Sequence, residues 1–489
     1  MAPSLIIGRL KRSKAIGQWR TLPVEPPEGE EKEYIVHPRR SLSALAGGLR
    51  TALSGGQPSP VWWQVYNWAQ ANPAAHRDMR HAINGLFHRN QAASLPQTVA
   101  RRLYCKTGKL RGSVTRFEGY RACPFQYFAQ YGLALKPRAV FRLEAPDFGQ
   151  FLHAVLKAFG DSLAAEGCRW QDISPGEAAK RCREITDQLA PKLQNEILLS
   201  SRQYQHIKTR LDRTVERSVG QLISFDGASA FQPVVFEQSF GRADNDWPPL
   251  RFTLDDGTIV ELAGQIDRLD RVQHDGQTYI LVIDYKSGGA WIKLSDVYYG
   301  LKLQLLTYLL VACQAAGPLV GGGDIIPAGA LYYYLKNPKV SGKRPMSEEE
   351  IAKAISSQLK MPGWVLAEPA VVKLLDTSIN GWSQFIKVWL KNEKFRTDNW
   401  STLKTGEQFS VLLGHIHQLL SDTAANIISG HIAIEPYALK DRTPCGYCNY
   451  KPVCQFDVLL PDNVFRVLAE LEDEEALARL AGIEGGGAP

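Results

Sequence analysis

The spacing of apolar residues predicts a chain in which long helices precede a group of strands. Residues 147–166 carry one apolar stripe at helical spacing, formed by Phe148, Phe151, Leu152, Val155 and Phe159. This stripe predicts a helix with Asp147 as its N-cap. Residues 176–224 continue the helical pattern. From Phe231 to Lys286, alternating and fully apolar segments are separated by Asp-Gly turns, which is typical of consecutive strands.

Beyond Lys286 the pattern alternates between helix and strand. It predicts a helix at 301–312, a glycine-rich loop at 321–323, a strand at 328–335 and helices from 347 to 428. Residues 1–112 have a mostly helical pattern. The tail after Asp473 is acidic and contains three consecutive glycines near its end, so we expect it to be disordered.

Length and composition indicate a folded protein with more than one compact unit. The chain has 489 residues, of which 44% are hydrophobic and 22% charged, as in ordinary globular domains. At roughly 150 residues per domain, this length predicts two or three units. The net charge of +7 is unevenly spread, because residues 101–142 contain ten Lys or Arg and one acid, Glu118. Such a stretch would attract a phosphate backbone, although a solvated face near a domain joint explains it equally well.

The termini and apolar runs do not predict a membrane protein. Residues 1–17 have a short apolar patch before their basic residues, and no signal-type apolar region or cleavage site follows. The longest apolar run, residues 303–313, contains Gln304 and is far shorter than a membrane span. We therefore expect a cytoplasmic protein. In that reducing compartment, clustered cysteines are expected to bind metal rather than to form disulfides.

Two aspartates and a lysine in the strand region suggest a site for phosphodiester hydrolysis. Asp267 lies in the strand-like segment AGQIDRLDRV, and Asp284 follows the apolar run 279–283. Side chains two apart in a strand point to one face, which places Lys286 beside Asp284. Carboxylates can hold Mg²⁺, and a nearby lysine can orient water or stabilise negative charge. Such triplets are usually structural, but the apolar strand before this one and the glycines after it favour a catalytic role. Glu237 is a further acid near this sheet, which we interpret as structural.

Other polar side chains in predicted helices are weaker candidates. His153 lies at the rim of the apolar stripe, where an imidazole could reach a metal, although a lone helical histidine is more often a packing residue. Gln304 and Tyr308 are one helical turn apart and share a face. They could bond to the active-site strand or to substrate phosphate, or simply satisfy each other in a core. His415 and His417 are two apart on a predicted helix and face different ways, so we discount them.

Four cysteines form a set that is split across the chain. Cys445, Cys448 and Cys454 lie in one short segment, and a fourth thiolate would complete a tetrahedral zinc site or a four-iron cluster. Cys123 is the best fourth ligand, because a turn-favouring proline follows it. Zinc sites usually use two local cysteine pairs, so the one-against-three split favours iron–sulfur over zinc, with four unrelated thiols as the remaining alternative. Such a cluster would hold the two ends of a domain together.

Several segments resemble a known family of nucleases. They are SVTRFEGYRACPFQYFAQYGLALKPR, FGQFLHAVLKAF, GQIDRLD, VIDYKSG, LQLLTYLL and CGYCNYKPVC. Together they resemble the C-terminal nuclease half of the B-type component of AddAB-type ATP-dependent helicase/deoxyribonucleases, from about residue 62 to residue 457. The resemblance implies the α/β fold class of RecB-type PD-(D/E)xK nucleases, a restriction-endonuclease-like mixed sheet flanked by helices. We expect in addition a helical N-terminal region and a helical insertion at about 338–430.

The resemblance also implies roles for residues of this sequence. The implied magnesium ligands are His153, Asp267 and Asp284. The implied catalytic lysine is Lys286, and the implied QxxxY helix carries Gln304 and Tyr308. The implied ligands of a 4Fe–4S cluster are Cys123, Cys445, Cys448 and Cys454. The family further implies a heterodimer with an A-type helicase-nuclease subunit that processes double-strand DNA ends for recombination, in which the B-type component cuts the strand that ends 5′.

One feature departs from the family. Its members begin with a helicase-like region that contains a Walker-type loop, and no G-x-x-x-x-G-K-S/T motif occurs here. We therefore expect no ATPase or helicase activity in this chain, which we interpret as a fragment, a split gene product or a shortened relative. The predicted domains are a mostly helical remnant of the helicase-like region at 1–112, the nuclease domain at 113–460 and the acidic tail at 461–489.

Two other functions remain open at this point. A stand-alone iron–sulfur nuclease of the Cas4 type shares the one-plus-three cysteines and the acid-x-Lys core, but such proteins are much shorter. A non-catalytic module that grips DNA or acts as a scaffold would use the basic stretch alone. Asp267, Asp284 and Lys286 argue against the scaffold, because DNA binding without catalysis does not need them.

Overall fold

The computed structural model divides the chain into two compact units, residues 1–90 and 91–489. It describes residues 23–136, 143–193, 198, 200–242, 247–288, 292–317, 324–342, 344–396, 401–460 and 462–482. The apolar N-terminal patch, the glycine-rich loop at 321–323 and the three glycines near the C-terminus lie outside the described residues. No helix in the described ranges combines the length and the apolar character that crossing a bilayer requires.

Within its described residues, 23–90, the first unit contains a short 3-10 helix (Glu31–Tyr34) and three α-helices, in agreement with its mostly helical pattern. The α-helices are α1 (Pro38–Leu53), α2 (Pro60–Ala71) and α3 (Pro73–Leu86). Each begins with a proline, whose fixed φ suits the first helical position and whose missing N–H has no partner there in any case. The three helices bury a small core that includes Leu45, Trp62, Ala69 and Met79.

The second unit is built on a mixed sheet, as the fold class predicted. The strands of this unit are β1 (Cys105–Lys106), β2 (Lys109–Ser113), β3 (Gln232–Phe240), β4 (Leu250–Thr253), β5 (Ile259–His274), β6 (Gln277–Lys286), β7 (Ile325–Tyr334), β8 (Gly363–Leu366), β9 (Gly381–Trp382), β10 (Trp389–Lys391), β11 (Lys394–Phe395), β12 (Leu403–Lys404), β13 (Tyr437–Ala438) and β14 (Arg466–Val467). The main sheet has the order β1-β2-β5-β6-β7-β8-β12, with β3 and β4 also paired to β5. β5 and β6 are antiparallel, whereas β6 and β7 are parallel.

Helices surround this sheet. They are α4 (Gln97–Tyr104), α5 (Val114–Ala122), α6 (Pro124–Tyr127), α7 (Ala145–Ala165), α8 (Pro175–Leu189), α9 (Arg202–Ala228), α10 (Leu294–Tyr298), α11 (Gln304–Ala315), α12 (Glu348–Leu359), α13 (Pro369–Leu375), α14 (Gly406–Ser429), α15 (Lys451–Cys454) and α16 (Asp473–Leu480). The predicted N-cap of α7 is wrong by three residues. Glu144 is the N-cap, and its N–H donates to the Asp147 carboxylate at 2.7 Å in a capping box.

The central strand β6 is apolar because both sides of the sheet are covered. Residues 280–283 are fully buried. Helix α11 packs on one side of β6 and β7. On the other side, the hydroxyl of Tyr333 in β7 donates to the carbonyl of Ser218 in α9 at 2.9 Å. A strand that is covered on both faces has a continuous apolar run rather than an alternating one.

The structure differs from the predicted domain organisation in three places. The second unit begins at residue 91 rather than 113, because β1 and β2 join the main sheet and α4 packs against β1 and α14. The helical insertion expected at about 338–430 contains α12, α13 and α14 but also strands, since β8 and β12 join the main sheet and β9, β10 and β11 form a small sheet of their own. These strands have two to four residues, too few to give a periodic signal. The acidic tail that was expected to be disordered contains α16.

Candidate functional site

Asp267 and Asp284 lie next to each other on neighbouring strands. Arg268 of β5 pairs with Ile283 of β6, so the next position along the antiparallel ladder brings the two aspartates together. Asp267 is 6% exposed and Asp284 is fully buried. One carboxylate oxygen of Asp267 accepts a hydrogen bond from the Tyr285 N–H at 2.6 Å. The cross-strand register therefore fixes both carboxylates at one place on the sheet.

The register of β5 is held from the opposite face by a buried ion pair. Arg268, which follows Asp267 directly, is fully buried and donates two hydrogen bonds to Asp270 at 2.6 and 2.8 Å. Its guanidinium lies among aromatic rings, with the centroid of Trp170 at 5.5 Å. A slip of one residue would bring Asp267 to this apolar side and Arg268 to the site. The pair therefore stabilises the strand register that Asp267 needs.

His153 and Glu237 join Asp267. Nδ1 of His153, on α7, lies 2.9 Å from Oε1 of Glu237 and 3.5 Å from Oδ1 of Asp267. Its Nε2 lies 3.1 Å from the carbonyl oxygen of Tyr285. The ligand atoms of His153, Glu237 and Asp267 all fall within 4.8 Å of one another. Asp284 is not in that group. The sequence favours a structural role for Glu237, whereas the structure places its carboxylate beside His153 and Asp267.

The backbone at Glu237 adopts a conformation that non-glycine residues rarely take. Its φ is +51°, in the left-handed region, which costs on the order of 1–3 kcal/mol for such a residue. The flanking residues Phe236 and Gln238 still pair with Arg268 and Ile266 of β5. Strain of this kind persists where the surroundings over-determine the conformation, and it is concentrated at functional sites. The only signal in the sequence was an acid within the mostly apolar segment VVFEQSF.

The electrostatics of these buried groups favour a bound cation. Burial, followed by the charge of Asp267, raises the pKa of Asp284 to about 7, while Lys286 opposes the shift. Burial also raises the pKa of Glu237. For His153, burial would lower the pKa, but hydrogen bonds to Asp267 and Glu237 and their negative charges raise it to about 10. Buried carboxylates this close repel each other, and an oxygen-seeking divalent ion relieves that repulsion. This donor set, two carboxylates and an imidazole, fits a divalent cation.

Lys286 is held by two partners. Its ammonium lies 2.5 Å from Oδ2 of Asp284 and donates to the side-chain oxygen of Gln304 at 3.0 Å. The amide nitrogen of Gln304 donates in turn to the Tyr308 hydroxyl at 3.0 Å. Gln304 and Tyr308 therefore share one face of α11, as predicted from their spacing. Together these bonds fix the position of the lysine head group.

Glu118 anchors this arrangement from a distant part of the chain. Its carboxylate accepts hydrogen bonds from the N–H groups of Leu303 and Gln304 at 2.6 and 3.0 Å, at the start of α11. Burial raises the pKa of Glu118, and the charge of Lys302 opposes the shift. A carboxylate at a helix N-terminus satisfies N–H groups that have no partner within the helix. In the sequence, Glu118 stands out only as the single acid of the basic stretch 101–142.

The site opens into a cavity of about 800 Å³. Its lining includes His153, Glu237, Asp267, Lys286, Gln304 and Tyr308, together with two further cations, Lys157 and Arg242. Lys157 pairs with Asp161 at 2.9 Å, and Arg242 donates to Gln265 at 2.9 Å. A concave site with buried acids at its base and cations at its rim is suited to an extended anionic substrate.

The four predicted cysteine ligands line one small cavity. These are Cys123, Cys445, Cys448 and Cys454, and the remaining wall is largely apolar, with Phe125, Ile434, Pro436 and Phe456. Burial raises the pKa of Cys123 to about 11 and also raises the pKa values of Cys445 and Cys448. Coordination to a metal deprotonates a thiol outright. Four thiols in an apolar shell fit a 4Fe–4S cluster or tetrahedral zinc.

Hydrogen bonds connect the two chain segments around this cavity. The N–H of Phe125 donates to the carbonyl of Ala433 at 3.1 Å, and the Tyr120 hydroxyl donates to the carbonyl of His431 at 3.0 Å. The Tyr450 hydroxyl donates to the carbonyl of Leu135 at 3.2 Å. These hydrogen bonds hold the segment of Cys123 against the segments around Cys445, Cys448 and Cys454 without any contribution from the thiols.

The two histidines of α14 take part in packing. Nε2 of His415 lies 3.0 Å from the carbonyl of Tyr298, and its imidazole stacks on the Tyr298 ring. Burial lowers the pKa of His415. The His417 ring packs against Phe252, with centroids 5.3 Å apart. Neither belongs to the group of His153, Glu237 and Asp267.

The mixed sheet and the acid-x-Lys strand define a class of nuclease. Residues 111–455 match the PD-(D/E)XK nuclease superfamily, and the chain belongs to this superfamily. Residues 27–85 match the fifth domain of the ATP-dependent helicase/deoxyribonuclease AddB. The first unit thus corresponds to a recognised domain of these proteins, and the resemblance that the sequence motifs suggested is confirmed.

Curated relatives agree with both matches. The chain is 42% identical over 476 residues to the B-type component of the ATP-dependent helicase/deoxyribonuclease of Desulforamulus reducens, and 39% identical over 480 residues to that of Pelotomaculum thermopropionicum. The corresponding protein of Geobacillus kaustophilus is 37% identical over 467 residues. These alignments cover 97%, 98% and 95% of this chain, but only 41%, 41% and 40% of the relatives. The chain therefore spans about two fifths of the length of the curated relatives it matches.

Proposed function

We propose that this chain is a magnesium-dependent deoxyribonuclease that hydrolyses phosphodiester bonds as an exonuclease. The observation that carries this proposal is the convergence of His153, Glu237 and Asp267 within 4.8 Å, beside the pair of Asp284 and Lys286. The superfamily match and the names of the relatives support the same reaction class. A buried group of acids beside a lysine, at the base of an open cavity, suits a phosphate ester better than a neutral substrate.

The metal would be held by His153, Glu237 and Asp267, with Asp284 beside them. This set adds Glu237 to the ligands that the sequence resemblance implied. When bound, a divalent cation neutralises phosphate charge and lowers the pKa of a coordinated water. The histidine has to be neutral to act as a ligand, so cation binding and loss of its proton would be linked.

Lys286 would contribute the fixed positive charge of the site. An ammonium that is already oriented by Asp284 and Gln304 needs no reorganisation when negative charge develops on the phosphate oxygens. Tyr308 and Glu118 would keep Gln304 in place through its side chain and its backbone respectively. Lys157 and Arg242, which line the same cavity, would bind phosphates on either side of the bond that is cut.

We propose a 4Fe–4S cluster, rather than zinc, as the group held by Cys123, Cys445, Cys448 and Cys454. The one-against-three spacing supports this choice, as does the apolar cavity that the four thiols share. The cluster would act as a staple, because the binding free energy of a structural metal site is also folding free energy. Its chemistry would be structural, with no part in hydrolysis.

The biological role follows from the family that the sequence motifs resemble, and the relatives' names support its helicase/deoxyribonuclease part. We propose that the chain works with an A-type helicase-nuclease subunit on double-strand DNA ends and single strands, in the repair of breaks by recombination, and in the cytoplasm. The match of residues 27–85 to a domain of the AddB helicase supports this role over a Cas4-type nuclease. The acids and Lys286 at one site support an enzyme over a scaffold.

The proposed activity can be tested with the purified full chain and linear DNA. Duplex and single-stranded DNA, labelled at the 5′ or the 3′ end, are expected to be shortened with Mg²⁺ and left intact with EDTA. Asp267→Asn is expected to lower the rate by about 100-fold or more, because the metal loses a charged ligand. Absence of cleavage of all four substrates by the wild-type chain with Mg²⁺ or Mn²⁺, prepared without oxygen, would overturn the proposal.

Glu237→Gln tests whether this acid belongs to the metal site. We expect the Mg²⁺ concentration for half-maximal cleavage to rise by about 10-fold or more, with a smaller change in the rate at saturating metal. The matched control is Glu184→Gln, an acid on α8 whose side chain is 59% exposed. If Glu237 only supports the fold, its replacement will lower the melting temperature and leave the metal dependence as in the control.

A further inference from the structure

A second cavity outside the candidate active site is strongly basic. It has a volume of about 500 Å³ and lies between α9 and the segment that follows β7. Four of its lining residues are cations, Arg210, Arg213, Arg217 and Lys339, which we call the arginine surface. The lining includes a single acid, Glu216, and also Asn337 and Pro338.

The three arginines are aligned by the helix. Positions 210, 213 and 217 are three and four residues apart, so they lie along one side of α9. All three are exposed, and the buried residues of this helix lie on another side. Like charges at this spacing repel one another and destabilise a helix. A bound anion would remove that penalty.

The acid in this cavity is already used elsewhere. The carboxylate of Glu216 lies 3.1 Å from Arg183 of α8. Within the described ranges, the four cations of the arginine surface form no ion pair. Lys208, on the same helix, behaves differently, because it pairs with Asp187 at 2.7 Å and Asp212 at 3.0 Å. The positive charge of the arginine surface is therefore not neutralised within this part of the protein.

Asn337 fixes one of the guanidinium groups. Its side-chain oxygen accepts from Nη1 of Arg217 at 2.9 Å, and its side-chain nitrogen donates to the Thr214 hydroxyl at 2.7 Å. The segment after β7 is thus tied to α9 at the centre of the cavity. A guanidinium held in this way loses little conformational entropy when it binds a phosphate.

The arginine surface lies near the C-terminal ends of β6 and β7, where Lys286 of the candidate active site also lies. The N–H of Leu335 donates to the carbonyl of Lys286 at 2.9 Å. Asn337 is two residues further along, a stretch that spans at most about 7 Å. The Tyr333 hydroxyl holds α9 against β7 through Ser218 on the opposite face from Lys286. A DNA strand bound at the active site can therefore continue past the ends of β6 and β7 to the arginines.

We propose that the arginine surface binds the phosphate backbone of single-stranded DNA and holds the strand whose phosphodiester bond lies at Lys286. This inference rests on the proposed nuclease function and adds a binding surface to it. The chemistry is that of guanidinium and ammonium groups with phosphates, independent of base sequence. Each phosphate contact adds to the salt dependence of binding, with a slope of about −0.7 per contact for a single strand.

The test compares the full-length wild-type chain with Arg210→Gln/Arg213→Gln/Arg217→Gln. Binding of a fluorescent oligothymidylate is measured in EDTA, where no cleavage occurs, over a range of salt concentrations. We expect the dissociation constant of the variant to rise by about 10-fold or more and its salt slope to fall by about 2. With Mg²⁺, the KM for a long single strand should rise, while hydrolysis of a thymidine dinucleotide should be unchanged.

The control is Lys208→Gln, which removes a cation from the same helix that is already paired with acids. An affinity and a salt slope equal to those of the wild type would overturn the inference, as would an equal loss in the Lys208→Gln control. The binding measurement does not depend on turnover. A wild-type chain that binds the strand through these arginines but never cuts it would contradict the nuclease function alone.

Discussion

Replacing Lys286 by alanine is expected to lower the rate of DNA cleavage by about 100- to 1,000-fold, the effect of losing one fixed charge that stabilises a transition state. The ammonium is positioned by contacts of 2.5 Å to Asp284 and 3.0 Å to Gln304, and it lines the cavity that contains the buried acids. Affinity for uncut DNA is expected to change little, since Lys286 is one of several cations that would contact the DNA strand. The measurement is a single-turnover assay with Mg²⁺ and end-labelled linear DNA.

Two further variants make this result interpretable. Lys302→Ala removes an exposed lysine close to the start of α11 and should leave the rate near that of the wild type. Gln304→Ala removes one of the two partners of Lys286 and should lower the rate by less than Lys286→Ala does. A Lys286→Ala chain that cuts DNA at the wild-type rate would show that this lysine has no catalytic role and would favour a scaffold whose activity comes from a contaminant.

Replacing Cys448 by serine is expected to remove the visible absorbance of the protein and to lower its melting temperature strongly. The three other thiols would have to bind the cluster without their fourth partner, in a cavity whose walls are otherwise largely apolar. Because the proposed cluster would join residues around Cys123 to those around Cys445, its loss should loosen the contact between the two ends of the domain. The measurements are iron and sulfide content, absorbance and thermal unfolding after purification without oxygen.

The control for this variant is Cys168→Ser, a thiol that does not line the cluster cavity and should leave colour and iron content unchanged. A colourless wild-type protein that contains one equivalent of zinc and no iron would contradict the iron–sulfur proposal. The four cysteines would then hold zinc. The one-against-three spacing of the cysteines would not distinguish zinc from an iron–sulfur cluster.

Much of the candidate site follows from local periodicity. Asp284 and Lys286 share a face because side chains alternate along a strand, and Gln304 and Tyr308 share a face because they are one helical turn apart. The apolar segments on either side are enough to predict β5, β6 and α11. Short pairings carry no such signal, so the sequence pattern predicts a helical segment where β8 and β12 lie.

The sequence by itself determined the class of fold, the strand and helix that carry Lys286 and Gln304, and the set of four thiols. Only the tertiary structure decided that Glu237 meets His153 and Asp267, and that Glu118 holds the start of α11 from 185 residues away. The physical reason is that periodicity reports the face on which a side chain lies, but not what lies opposite. Which acids converge depends on the register between distant strands and on a left-handed φ at Glu237. Both are settled only when the whole core packs.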